Sequence, residues 1–297
     1  MTTIALIILE QLCMYLPLII GGYIAFSLLK VPNISIESAY VFGSILAANF
    51  MFVGQSVPFV IYLPMVFVVS FFGGMMVGLV TALLTQYCRV PHLLSSILTI
   101  GIFHGINQAV LGNAHRSLSG LRNPLVVSEQ FIKNPELIML LVVGLLLMAG
   151  LFFLLRTQLG YSFAVFGYNP RFFEHYGIAT NFVVLSGIAL ANGLAGISGY
   201  LVAQSSGFVD TNAGFGMALF CITALILGKS LCFFVQSFSW LVPLIGAVVY
   251  CSLQQLLLKV GFNLKYFTMI QSLLVLLMVI QRYQTSRSNK NVNDLGV

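Results

Sequence analysis

The sequence predicts an all-α polytopic membrane protein of about nine transmembrane helices, and three observations predict it. The 297 residues are 59% hydrophobic and only 7% charged, where a soluble domain carries roughly 25% charged residues to cover its surface. The apolar runs reach the roughly 20 residues that a helix needs to cross a bilayer. Those runs are continuous rather than alternating in ten-residue pieces, which excludes a membrane β-barrel. In hydrocarbon the backbone polar groups of such a run bond within the segment, so each run is helical. The net charge of +6 is no nucleic-acid footprint, because the basic residues sit mainly at the ends of apolar runs, as topology determinants do.

Residues 4–29 form the first span, with Glu10 its only charge and no Lys or Arg before Lys30. Its apolar run is longer than a signal-peptide core, so it reads as a spanning helix rather than a cleaved leader. Residues 38–88 carry no charge but are too many for one helix. Gly and Pro at Val53–Pro58 divide them into spans near 38–53 and 58–86. Gly74 and Gly78 give the second of these a GxxxG step, and Arg89 and Pro91 mark a turn. The fourth span, 92–112, is unusually polar, with Thr99, His104, Asn107 and Gln108. A polar connection over 113–134 leads to Leu137–Leu155, the plainest lipid-facing run.

A hydrophilic interruption at 157–178 carries Arg171, Glu174 and His175. The run that follows, to about residue 204, has no Asp, Glu, Lys or Arg. Within it Gly187, Ala191, Ala195, Gly199 and Ala203 recur at every fourth residue, a ridge of small side chains where another helix backbone can come close. After the Gly-rich break AQSSGFVDTNAGFG comes a short run, 215–228, which either spans or re-enters. Spans near 238–258 and 264–281 complete a single transmembrane domain, 1–281, and a polar tail fills 282–297. With 157–178 in the cytoplasm, the N-terminus lies outside. Eight Lys and Arg then fall inside (Lys30, Arg89, Arg156, Arg171, Lys229, Arg282, Arg287, Lys290) and five outside (Arg116, Arg122, Lys133, Lys259, Lys265). The bias has the sign of the positive-inside rule.

Enzymatic motifs are missing. LILGKS (Leu225–Ser230) has Thr223 where a phosphate loop needs its first glycine, and the run is membrane-embedded rather than preceded by a soluble strand. The four histidines lack metal-ligand spacing, so neither a metal nor a cofactor is expected. The five cysteines form no CxxC pair and read as structural, reduced thiols. Among the polar residues of the spans are Asn49, Asn107, Gln108 and Asn192, and buried polar groups in lipid have to pair or meet water. They either bond helices to one another or line an aqueous path, for which Asn107 and Asn192 sit deepest. Glu10 is the only acidic residue placed in a span, and proton- or sodium-driven carriers use intramembrane carboxylates, so energy is expected to enter from another subunit. The port is the aromatic loop 160–177, read either as lying on lipid headgroups or as a short helix starting at Asn169–Pro170 and ending at Gly177.

Four stretches carry a family likeness: Leu9–Ser38, Val90–Gly112, Leu159–Ile178 (LGYSFAVFGYNPRFFEHYGI) and Ser186–Lys229, centred on NGLAGISGYLVAQSSGFVDTNAGFGM. On these the chain resembles the permease subunits of bacterial ABC importers in the branched-chain amino acid/ribose class, and among them the tryptophan/tyrosine-type permeases. The resemblance implies a type II importer permease in the bacterial inner membrane, paired with a second copy or a paralogue. It implies two ABC ATPase subunits below and an extracytoplasmic solute-binding protein above. The family's coupling loop falls on Gly160, Phe163, Phe166, Asn169, Pro170, Phe172, Glu174 and Gly177, and the small-residue helix falls near the translocation interface. Tyr161–Tyr168 is more aromatic and less basic than that family's loop start. The expected function is movement of a small polar solute, an amino acid or relative, driven by ATP hydrolysis on a partner. The alternatives are a stand-alone transporter or channel and a membrane scaffold.

Overall fold

The computed structural model describes residues 2–54, 58–118, 135–169, 172–173, 180–231, 239–261, 266 and 268–277. Ten helices and one small sheet account for most of them. In chain order they are α1 (Thr2–Gly22), continued by a π-helical turn (Tyr23–Leu28), α2 (Ile36–Val53), α3 (Phe59–Gln86) and α4 (His92–Leu111). Strand β1 (His115–Ser117) follows, then α5 (Pro135–Arg156), α6 (Gln158–Tyr168), α7 (Thr180–Ser206), β2 (Phe208–Asp210), α8 (Met217–Leu231), α9 (Val242–Lys259) and α10 (Thr268–Leu277). Seven of the described helices are long and apolar enough to cross a membrane, and α8 and α10 are shorter apolar helices. Among the described residues this is a multi-pass all-α membrane architecture with seven helices of spanning length, and the last of the nine spans expected, 264–281, lies partly outside those residues.

The boundaries follow local chemistry. Pro58 and Pro91 sit at the N-caps of α3 and α4, where a missing N–H costs nothing. Gly112 ends α4 in the left-handed conformation, at φ 77°, which an L side chain adopts only with strain. Thr157 begins α6 by accepting the Gly160 amide with its side chain.

Helix α7 is the axis of the bundle and packs on α1, α2 and α3. A methyl at Gly199 would run into the Tyr40 carbonyl of α2, and one at Gly21 of α1 would run into the Ala191 carbonyl. Gly187 receives Leu29, and Ala191, Ala195 and Ala203 are buried. The every-fourth-residue ridge is therefore occupied by α1, the segment after it and α2 of this same chain. A second small face, Asn192–Gly193–Gly196, meets Gly74 and Gly78 of α3. Gly196 lies so near the Ser70 carbonyl that no Cβ fits, and Ser70 Oγ donates to Gly196 O at 2.7 Å. Packing of backbone on backbone substitutes for the hydrophobic drive that lipid removes. Helix α5 lies at the periphery and buries few of its side chains.

The ends of the bundle are defined by two sets of contacts. At one end Lys30 stands over the Tyr168 ring, 3.7 Å from its centroid, which brings the turn after α1 against α6. At the other, β1 pairs antiparallel with β2 (His115↔Asp210, Arg116↔Val209, Ser117↔Phe208). Arg116 donates to Asn49 Oδ1 at 2.8 Å at this end.

Candidate functional site

At the middle of α7 lies a polar centre assembled from four segments. Asn192, at 0% exposure, accepts from Asn33 Nδ2 at 2.9 Å and donates to Ser35 Oγ at 2.9 Å. Ser35 in turn donates to Asn33 Oδ1 at 2.6 Å. Thr81 Oγ1 of α3 lies 2.9 Å from Ser35 Oγ and 3.1 Å from Thr99 Oγ1 of α4. Ser96 and Thr99 turn back on carbonyls of their own helix. Every one of these side chains is buried, and in a medium without water such groups are tolerated only when their partners are supplied. The sequence left Asn192 open between path and glue. The structure places it in a satisfied hydrogen-bond network that ties the 29–35 segment, α3, α4 and α7 together.

Beside this network is a cavity of about 160 Å³, lined by Glu37, Ser38 and Val41 of α2, by Ile100, His104 and Asn107 of α4, and by Thr211, Asn212, Gly214 and Phe215. The last four belong to the segment that descends from β2 to α8. This segment leaves the sheet at Thr211, whose amide donates to Ala114 O, and reaches α2 at Gly214, where no Cβ would fit against the Glu37 carbonyl. Helix α8 then starts inside the bundle. Its described residues, Met217–Leu231, extend about 22 Å at 1.5 Å each, and its N-terminus meets the cavity wall at Glu37.

Glu37 caps that N-terminus. Its Oε1 accepts from Gly216 N at 3.1 Å and Ala218 N at 3.3 Å, satisfying two orphan amides and meeting the positive end of the helix dipole. Glu37 is the second residue of α2 and lies within the apolar span Ile36–Val53. This corrects the sequence reading, which started the span at residue 38 and left Glu10 as its only intramembrane acid. The signal was present, in an acidic residue just ahead of a charge-free run. Its partner lies 179 positions away, which no local pattern shows.

Among the residues expected on a path, Asn107 lines the cavity at 2% exposure, and its Oδ1 has no hydrogen-bond partner among the described residues. Gln108 is exposed and lies 3.1 Å from His104 Nε2 through its own Nε2. Asn49 is bound to Arg116 at the sheet end, away from the cavity. Glu37, His104 and Asn212 join Asn107 there, and sequence reasoning did not group them.

The connecting segment begins with a helix that the sequence reading did not single out, α6 (Gln158–Tyr168), which ends at Asn169. Phe172 and Phe173 are helical again, and Phe172 N donates to Asn169 O at 3.1 Å. Pro170, Glu174 and Gly177 lie outside the described residues. Phe163 is 0% exposed and sits under α7 near Gly187, and Gly160 is buried so close to Leu154 O and Leu155 that no Cβ would fit. These two seat α6 on the bundle, and Phe166 packs against the same core. The outward surface is Tyr161 (65% exposed), Tyr168 (82%), Asn169 and Phe172.

Residues 4–279 match the family described as the branched-chain amino acid transport system permease component, and the chain belongs to that family. It is a permease subunit of the ABC importer class. The chain is 29% identical to a tyrosine transport system permease protein of Clostridioides difficile, over 71% of this chain and 68% of that one. It is 28% identical to an uncharacterized protein of Rickettsia prowazekii, over 75% of this chain and 76% of that one. To the autoinducer 2 import system permease protein LsrC of Yersinia enterocolitica it is 27% identical, over 52% of this chain and 42% of that one. No solved structure matches.

Proposed function

We propose that this chain is the membrane-spanning subunit of an ATP-driven importer that carries a small polar solute, an amino acid or a related compound, across the bacterial inner membrane. The observation that carries the proposal is the family match across 4–279, and a tyrosine permease among the similar proteins supports the solute class. Hydrolysis takes place on a separate ABC ATPase that docks on α6 and on the segment after it, through Tyr161, Tyr168, Asn169 and Phe172. An extracytoplasmic binding protein delivers solute at the end that carries β1 and β2. A second copy or a paralogue completes the path.

The route within this chain passes the cavity beside Asn107, where α8 begins inside the bundle behind the 211–215 segment. Asn192 belongs to the hinge of that route: its network joins the elements that must move together when access alternates. Shifting the ATPase-side end of α6 moves Lys30 and the 29–35 segment, since Lys30 rests on Tyr168 and Asn33 bonds to Asn192.

One observation favours a stand-alone carrier, namely the carboxylate of Glu37 inside a span, since such groups mark ion-coupled transport. Purification in gentle detergent from native membranes, with mass spectrometry of the associated proteins, separates the two. Recovery of an ABC ATPase is expected, and its absence across several detergents would favour the stand-alone carrier.

A further inference from the structure

We propose that the cavity between α2, α4 and the 211–215 segment is a binding site for an ammonium group, held by Glu37 and Asn107. The proposal rests on the permease reading and specifies the charge of the solute group that passes this point. A helix starting inside a membrane bundle would ordinarily present its N-terminal amides to an anion. Here the Gly216 and Ala218 amides are already taken by Glu37 Oε1. The positive end is thus covered by a full negative charge, and the site's preference turns from anion to cation. No Lys or Arg stands among the lining residues to neutralise that charge.

The second observation is Asn107. It lines the same cavity, it is 2% exposed, and its Oδ1, shielded from the open space, lacks a partner among the described residues. A buried amide oxygen left unsatisfied costs free energy, which a bound donor would recover once the side-chain amide turns to meet it. An ammonium supplies three donors and no acceptor. It can therefore serve a carboxylate and an amide oxygen together, which a carboxylate or a neutral carbonyl solute group cannot do. Val41, Ile100 and Phe215 give the rest of the wall an apolar surface for the body of the solute. The volume of about 160 Å³ matches a cavity of about 150 Å³ that takes up benzene in a protein interior, so the site holds a small solute or the head of a larger one. Phe215 and His104 are exposed and stand at the mouth.

Three size-matched probes test this: ethylamine, L-alanine and propionate, bound to the full-length chain in lipid nanodiscs and read by saturation-transfer NMR against empty nanodiscs. Ethylamine and alanine should bind and propionate should not. Glu37→Gln keeps an Oε1 acceptor for the Gly216 and Ala218 amides while removing the charge, and it should weaken ethylamine at least tenfold with an unchanged elution profile. Asn107→Asp, which adds a second negative group without removing the acceptor, should tighten ethylamine several-fold. Propionate binding as well as ethylamine would overturn the proposal, as would an unchanged affinity in Glu37→Gln. Should Glu37→Gln not fold, unchanged or weaker ethylamine binding by Asn107→Asp overturns it alone. Recovery of an ATPase with the wild-type chain is measured separately. An ATPase recovered without ammonium selectivity sinks the site and leaves the permease, and the reverse result sinks the importer and leaves the site.

Discussion

Two asparagines, Asn107 and Asn192, look alike in the sequence, each polar and deep within an apolar run. The fold separates them. Asn192 has both sides of its amide bonded, to Asn33 and to Ser35, whereas Asn107 borders a cavity with an oxygen unpaired. Asn192→Leu should strand Asn33 and Ser35 and cost about 1–3 kcal/mol, the penalty for leaving a buried polar group without its partner. It should lower the unfolding temperature in detergent measurably. Asn107→Leu should leave that temperature nearly unchanged, because no bond in the chain is lost, and should act on solute binding instead. Equal destabilisation by the two would contradict the division of roles. The sequence marked both residues as polar and deep. It did not tell them apart, because the partners of Asn192 lie 157 and 159 positions away and only tertiary contact brings them together.

At the scale of elements, the small-residue ridge of α7 lies against α1, the segment after it, and α2 of the same chain. A second face, Gly193 and Gly196, packs on the Gly74–Gly78 step of α3. Helix α6 shows what the sequence reading left out. Thr157 caps a helix that ends at Asn169, ahead of the Asn169–Pro170 start that the reading singled out, and Thr is as good a start signal as Pro. This earlier helix turns Phe163 inward and Tyr161 and Tyr168 outward. Tyr161→Asp with Tyr168→Asp should therefore release a bound ATPase while leaving the yield of folded permease unchanged, as co-purification would show. Phe163→Asp should instead lower that yield, since it buries a charge under α7. Retention of the ATPase by the double variant would remove α6 from the docking surface.

At the scale of the whole molecule, composition and run length were enough to establish a multi-pass helical membrane protein, and the family match confirms the class. The run 215–228, open between spanning and re-entrant, corresponds to α8 (Met217–Leu231). Its start inside the bundle leaves the 211–215 segment to line the cavity. The central claim is that solute moves through this chain only when an ATPase works on it. Uptake of labelled amino acids into liposomes tests that claim most directly, with the permease reconstituted alone and together with its co-purified ATPase. Uptake that requires both the ATPase and ATP is the predicted result. Equal uptake by the permease alone, without ATP, would contradict it.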